Sequence, residues 1–297
     1  MENLTLPILA IIGISISVTL LGIFVLWNKM AYFGDALSHS SILGLALSAP
    51  FHYNPFLGLI MFAIFFAILI NFVDKKNLYS KDTVIAIVSY SAVAIGLILI
   101  AIYPQNFDFE NYLFGDLALV SKIEVVSIYL LAAIISFFIL FYFKKLLLTT
   151  INKDLAIIEG IKVDNLKLKF SLILALFIAV SVKIIGIFLI TALLILPAAI
   201  ARNFSNSPIK MILITLVIAM ISGIGGFFIS LHFNLPASAT IVGFLSAYFF
   251  IILLLKQTSK KSFDFCGGGK YNILCKEDQP SIFLKSINFT NPHDKQK

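Results

Sequence analysis

Charge is what this chain has least of. Only 12% of its residues are Asp, Glu, Lys or Arg, while 60% are hydrophobic. A soluble domain does not carry that balance, since about a quarter of its residues are normally charged. Cysteine is nearly absent. Cys266 and Cys275 are the two, and their spacing fits neither a zinc ribbon nor a CxxC redox pair, so both read as free thiols. Catalytic signatures are missing too. No HExxH occurs, and no Ser–His pair stands at a working spacing, which argues against an intramembrane enzyme. A phosphate loop is also lacking. Gly267-Gly268-Gly269-Lys270 has Asp264 where the motif needs its first glycine, and Tyr271 where it needs Ser or Thr. A cleaved leader is not expected, because Glu2 replaces a basic leading region and the apolar run 7–27 is long enough to span a bilayer.

What the chain has instead is apolar runs, near 7–27, 37–50, 56–73, 83–103, 123–143, 169–183, 184–201, 210–231 and 239–255. The stretch from Phe170 to Ala201 is too long for one helix across a membrane at about 1.5 Å per residue, so a break is placed at Lys183 to Gly186. The expected fold is an all-α polytopic membrane protein with eight or nine transmembrane helices. Residues 1–257 would form the membrane domain and 258–297 a polar, disordered cytoplasmic tail. With nine spans and the N-terminus outside, Lys122 and Lys183 fall on the outer side, and the other twenty of the 22 basic residues fall inside. That asymmetry is the positive-inside pattern, so the net charge of +7 reports topology rather than affinity for nucleic acid.

One segment stands out against the apolar background: Gly34-Asp35-Ala36-Leu37-Ser38-His39-Ser40-Ser41-Ile42-Leu43-Gly44. An ionisable residue costs several kcal/mol at bilayer depth unless it faces a wet cavity or a partner. Asp35 and His39, at i and i+4, share a helical face about 40° apart and offer oxygen and nitrogen to a divalent cation. Ala36, Ser40, Gly44 and Ser48 form a ladder of small residues suited to close packing. It lies largely opposite the face of Asp35, His39, Ile42 and Ala46. The plainer alternative is that Asp35 caps a helix and His39 hydrogen-bonds a neighbour.

Lys144 to Lys169 is the longest polar loop inside the membrane domain. Within it, 152–160 reads as a short helix capped by Asn152 or Asp154 and stopped by Gly160. Such a helix can dock into a partner's groove, or simply connect two spans along the membrane surface. Further on, Gly186 and Pro197 bracket an apolar run that Pro197 should kink, and Gly223, Gly225 and Gly226 allow close packing. His52 and His232 fall near the outer surface and His293 in the tail, while Asp108, Glu110 and Asp116 make one outer loop acidic, which attracts cations.

Four patches in order resemble the permease subunits of ABC importers for zinc, manganese and iron, most closely the zinc uptake permeases. They are Gly34 to His39 with Gly44; Asp154-Leu155-Ala156 through Gly160; Gly186-Ile187-Phe188-Leu189 with Leu193 to Ala199; and Ser230 with Leu235-Pro236-Ala237-Ser238-Ala239-Thr240-Ile241-Val242. The resemblance covers about residues 7 to 256; Ser238 departs from the glycine the family often has there, and the tail has no counterpart. The resemblance implies a type II-like permease in the cell inner membrane, packed as a homodimer around a central path. A cytosolic ATPase would sit beneath it and an extracytoplasmic metal-binding protein above, so the chain itself is no enzyme. It implies that Asp35 and His39 form a transient metal site and that Asp154, Leu155, Ala156, Ile158, Glu159 and Gly160 couple to the ATPase. His232, beside the Pro236 patch, is a possible outer entry point for metal. Zinc, or manganese or iron, would be cargo, with no permanently bound cofactor. A proton-coupled secondary metal transporter using Asp35 and His39 as a relay is the chief rival. A purely structural scaffold would leave both residues unexplained.

Overall fold

The computed structural model describes residues 4–51, 54–74, 81–103, 109–115 and 117–264. Every regular element among them is a helix: α1 (Thr5–Trp27), α2 (Ala31–Phe51), α3 (Pro55–Asp74), α4 (Lys81–Ile102), α5 (Phe109–Phe114), α6 (Lys122–Ile151), α7 (Lys153–Ile158), α8 (Val163–Ile185), α9 (Ile187–Arg202), α10 (Pro208–Phe233) and α11 (Ala237–Asp264). Seven of these are long and apolar enough to cross a membrane, namely α1, α3, α4, α6, α8, α10 and α11, and α9 is a shorter apolar helix. The helix α2 has the length to span, at 21 residues, but Asp35, His39 and four serines dilute its hydropathy. These nine helices stand where the nine apolar runs predict them. The last, α11, continues to Asp264, past position 257 where the sequence places the end of the membrane domain. Cys266, Cys275, His293 and Gly267 to Lys270 lie outside the described residues, as do His52, Asp108 and Asp116.

Burial orders the bundle. The most apolar window of α1 is 72% buried and that of α8 67%, against 17% for α11, so α1 and α8 are the inner posts and α11 lies at the periphery. Around α1 pack α6, α9 and α10, while α2 nests between α3 and α4 and touches α8 and α9. The inner helices meet through side chains such as Phe24, Phe170 and Phe177, each at most 2% exposed. Phe24 sits edge-on to Trp27, Phe143 and Phe170, linking α1 to α6 and α8.

The break expected between Lys183 and Gly186 falls at Gly186 itself, with φ +91 and ψ 157. That backbone region is open essentially to glycine alone. By contrast, Pro197 lies inside α9, and the helix runs through it from Ile187 to Arg202. At the same end of the bundle, Ser121 and Glu124 form a reciprocal capping box that starts α6. Glu124 also forms an ion pair with Lys183 near the end of α8. Lys122 and Lys183 therefore share one end, as the charge pattern requires. The other end gathers the C-termini of α1 and α6, where the Thr150 hydroxyl lies 3.2 Å from Asn28 Oδ1.

Candidate metal site

The placement of α2 follows from its small residues. Ala36, Ser40 and Ser48 are at most 5% exposed, and Gly44 packs against Gly58 and Phe62 of α3. Burying four serines in a membrane helix would be costly if their hydroxyls were unpaired. Each is satisfied on its own helix: Ser38 donates to the Gly34 carbonyl, Ser40 and Ser41 to Leu37, and Ser48 to Leu45. From α4, Ser89 donates to the Ala36 carbonyl at 3.2 Å and fixes the neighbouring helix. The ladder thus does the packing assigned to it.

With that face fixed, Asp35 and His39 turn outward. His39 Nε2 lies 3.5 Å from Asp35 Oδ1, and the two side chains are 32% and 52% exposed, His39 being the lower. The face is shorter than expected, because Ile42 and Ala46 are 6% and 1% exposed and belong to the core. Among the described side chains of α2, the exposed ones lie in its first half, with Tyr32 at 65%. The capping alternative for Asp35 does not hold, since α2 starts at Ala31 and Asp35 sits inside the helix.

A third polar group comes from α9. The Thr191 hydroxyl lies 3.5 Å from Asp35 Oδ1, at the outer limit of a hydrogen bond. Thr191 follows Gly186 by about one helical turn, and Asp35 follows the start of α2 by about one turn. The pair therefore meets between two helices, at the partly exposed edge of their packing, not at a surface loop. Thr191 was not singled out from the sequence; a lone hydroxyl in the apolar run Ile187 to Leu196 was the available signal.

One chain offers an incomplete ligand set. Among the described residues no group of three or more His, Cys, Asp or Glu could hold a metal ion. Zinc is usually held by four ligands, so Asp35 and His39 need water, a second chain or a passing ligand to complete a site. His232 does not join them. It lies exposed in the last turn of α10, edge-on to Phe233 at 4.9 Å. The nearby fourth patch binds the helices together: Ser230 donates to the Leu235 carbonyl and Thr240 to Gly226, closing α10 onto α11, while Ser238 donates to Phe114 of α5.

The short helix of the polar loop is present as α7. Asn152 is its cap, with Oδ1 accepting from the backbone of Asp154 and Leu155. Gly160 ends it with φ +77, and Ile161 N–H reaches back to the Ala156 carbonyl. Ala156 is fully buried and anchors the helix, whereas Leu155, Ile157 and Ile158 are 47%, 53% and 83% exposed. Leu155, Ile157 and Ile158 thus leave an apolar turn open on a polar loop. Asp154 and Glu159 flank it, both exposed.

Comparison with known proteins gives this arrangement a context. The chain is 39% identical over 234 residues to the high-affinity zinc uptake system membrane protein ZnuB of Buchnera aphidicola, covering 77% of this chain and 89% of that protein. It is 32% identical over 234 residues to the manganese transport system membrane protein MntC of Listeria monocytogenes, covering 79% and 84%. The solved structure of PsaBC from Streptococcus pneumoniae in complex with Fab superposes with a TM-score of 0.75 at 30% identity, covering 84% of this chain and 91% of that one. The model of the ABC 3 transport family matches residues 1–256, from the first helix into the last. This multi-pass membrane protein belongs to the ABC 3 transport family.

Proposed function

We propose that the chain is the inner-membrane permease subunit of an ATP-driven importer of divalent metal, with zinc as the first cargo. The observation that carries this reading is the exposed Asp35 and His39 pair, partnered by Thr191, on a helix inside a membrane bundle. Lipid does not tolerate such a surface, so it faces a wet passage or a second subunit. Two copies facing each other would supply two carboxylates and two imidazoles, a set that suits Zn²⁺ and accommodates Mn²⁺ or Fe²⁺. A sparse, open set also favours release, which a carrier requires. The ATPase would be a separate cytosolic subunit docking on Leu155, Ile157 and Ile158 of α7. Metal would arrive from an extracytoplasmic binding protein at the end that carries Lys122 and Lys183. The zinc uptake relatives favour zinc, and the manganese relatives make Mn²⁺ the second reading. The test is uptake of radioactive Zn²⁺, Mn²⁺ and Fe²⁺ into vesicles holding permease, ATPase and binding protein. ATP-dependent accumulation of Zn²⁺ above the other two is expected. Accumulation driven by a proton gradient in the permease alone would overturn the reading.

A further inference from the structure

The turn that leads into the metal-site helix is tied by side chains to the end of α6. Asn28 Nδ2 donates to the Phe24 carbonyl at 2.8 Å, and Asn28 Oδ1 accepts from the Thr150 hydroxyl at 3.2 Å. The same hydroxyl lies 2.8 Å from the Leu146 carbonyl of its own helix. One proton therefore serves two acceptors, one across the interface and one at home.

The backbone on both sides of this contact has little slack. In the turn, Asn28 N–H bonds Phe24, Lys29 bonds Leu26, and Met30 bonds Val25. Lys29 is held at φ +54, an uncommon conformation for a residue other than glycine. The helix α2 begins at Ala31, and Phe33 N–H bonds the Met30 carbonyl, so no flexible linker separates Asn28 from Asp35. On the other side, Asn152 follows the last residue of α6 directly. Its N–H bonds the Leu148 carbonyl, while its side chain caps α7. Thr150 and α7 are thus one mechanical piece.

We infer that Asn28 and Thr150 form the joint through which a displacement of α7 reaches the helix carrying Asp35 and His39. Both are positioning residues for transport, and the inference rests on the reading of α7 and of the Asp35 and His39 pair proposed above. Apolar contacts between α1 and α6 can slide, whereas a directional hydrogen bond fixes register at this end. The two acceptors of the Thr150 hydroxyl give the joint two settings, engaged with Asn28 or withdrawn to Leu146. Coupling carried by such an element is a two-state bias rather than a rigid wire.

The experiment uses the complete transporter in vesicles, with wild type, Thr150→Val, Asn28→Ala, their double variant and Thr150→Ser. Zn²⁺ and Mn²⁺ transported per ATP hydrolysed are measured, together with ATPase retention and melting midpoint. Both single variants should keep the ATPase bound and the midpoint near wild type, while metal per ATP falls roughly 2- to 30-fold. The double variant should be no worse than the worse single one, since both remove the same contact. Thr150→Ser should restore most of the ratio. An unchanged ratio, or a double variant whose loss is the product of the single losses, overturns the joint. So does a lost ATPase or lowered midpoint, which would assign the contact to packing. A wild-type complex that moves neither metal overturns the functional reading instead, and the joint with it.

Discussion

Gly115 and Gly186 meet backbone to backbone beside the ion-paired end of the bundle, each at positive φ, +71 and +91. A β-carbon on Gly186 would fall inside contact distance of the Leu113, Phe114 and Gly115 backbone, and one on Gly115 would meet Ile184, Ile185 and Gly186. This contact pins the segment after α5 onto the break between α8 and α9, and so sets where Thr191 begins its approach to Asp35.

Replacing either glycine is therefore expected to destabilise the bundle. Gly186→Ala should cost about 1–3 kcal/mol from backbone conformation alone, with the clash in addition. Melting of the purified protein in detergent reads this directly. A Gly186→Ala midpoint equal to wild type would show that the two segments separate easily.

At the proposed metal site, Asp35→Ala and His39→Ala should each abolish uptake while the transporter still assembles. Both side chains are outward and partly exposed, so removing them leaves no buried hole. Thr191→Val should lower uptake by less than about tenfold, because a contact at 3.5 Å contributes little beyond orienting the carboxylate. Normal zinc uptake by both Ala variants in zinc-starved cells would refute the site assignment.

For α7, replacing Leu155 and Ile158 together with Asp should remove the ATPase in a pull-down without unfolding the permease, since both side chains are already in the open. Ala156→Asp is a contrasting control. Its site is fully buried, so that variant should fail by misfolding. Asn152→Ala should fray α7 by about 1 kcal/mol and weaken docking in proportion. Undiminished ATPase capture by the Leu155 and Ile158 double variant would sink the docking surface.

Glu124 has two tasks that substitution can separate. Its side chain accepts from the Ser121 backbone at 2.8 Å and also pairs with Lys183. Glu124→Gln keeps the capping geometry but loses the charge, while Glu124→Ala loses both. The Ala variant should melt below the Gln variant by an amount equivalent to about 0.5–2 kcal/mol, and only the salt dependence of the charge pair should vanish in both. Equal midpoints would show that the capping box contributes nothing.

Much of this was legible in order along the chain. Hydropathy marks a membrane helix because a bilayer requires about 20 apolar residues in a row, so most of the nine runs announced themselves locally, while the split of 170–201 followed from its length. Asp35 and His39 were visible for the converse reason, as polar groups where polarity is expensive. Gly160 was readable as the helix stop, and the cap was narrowed to Asn152 or Asp154, because those roles depend on near neighbours; the structure chose Asn152. The extent of the exposed face on α2 was not. Ile42 and Ala46 share the angular sector of Asp35 and His39, and only the packing of neighbouring helices decides that they are covered.

The sequence by itself determined where the nine apolar runs lie, the uneven distribution of basic residues among the loops and the identity of the acidic and imidazole pair in α2. Each of these is a property of a short stretch of chain meeting lipid or water. Tertiary structure alone decided that Thr191 reaches Asp35, that Gly115 locks onto Gly186 and that Asn28 is joined to Thr150. Those partners lie between 71 and 156 positions apart, and no local preference encodes a contact that exists only once separate helices have packed.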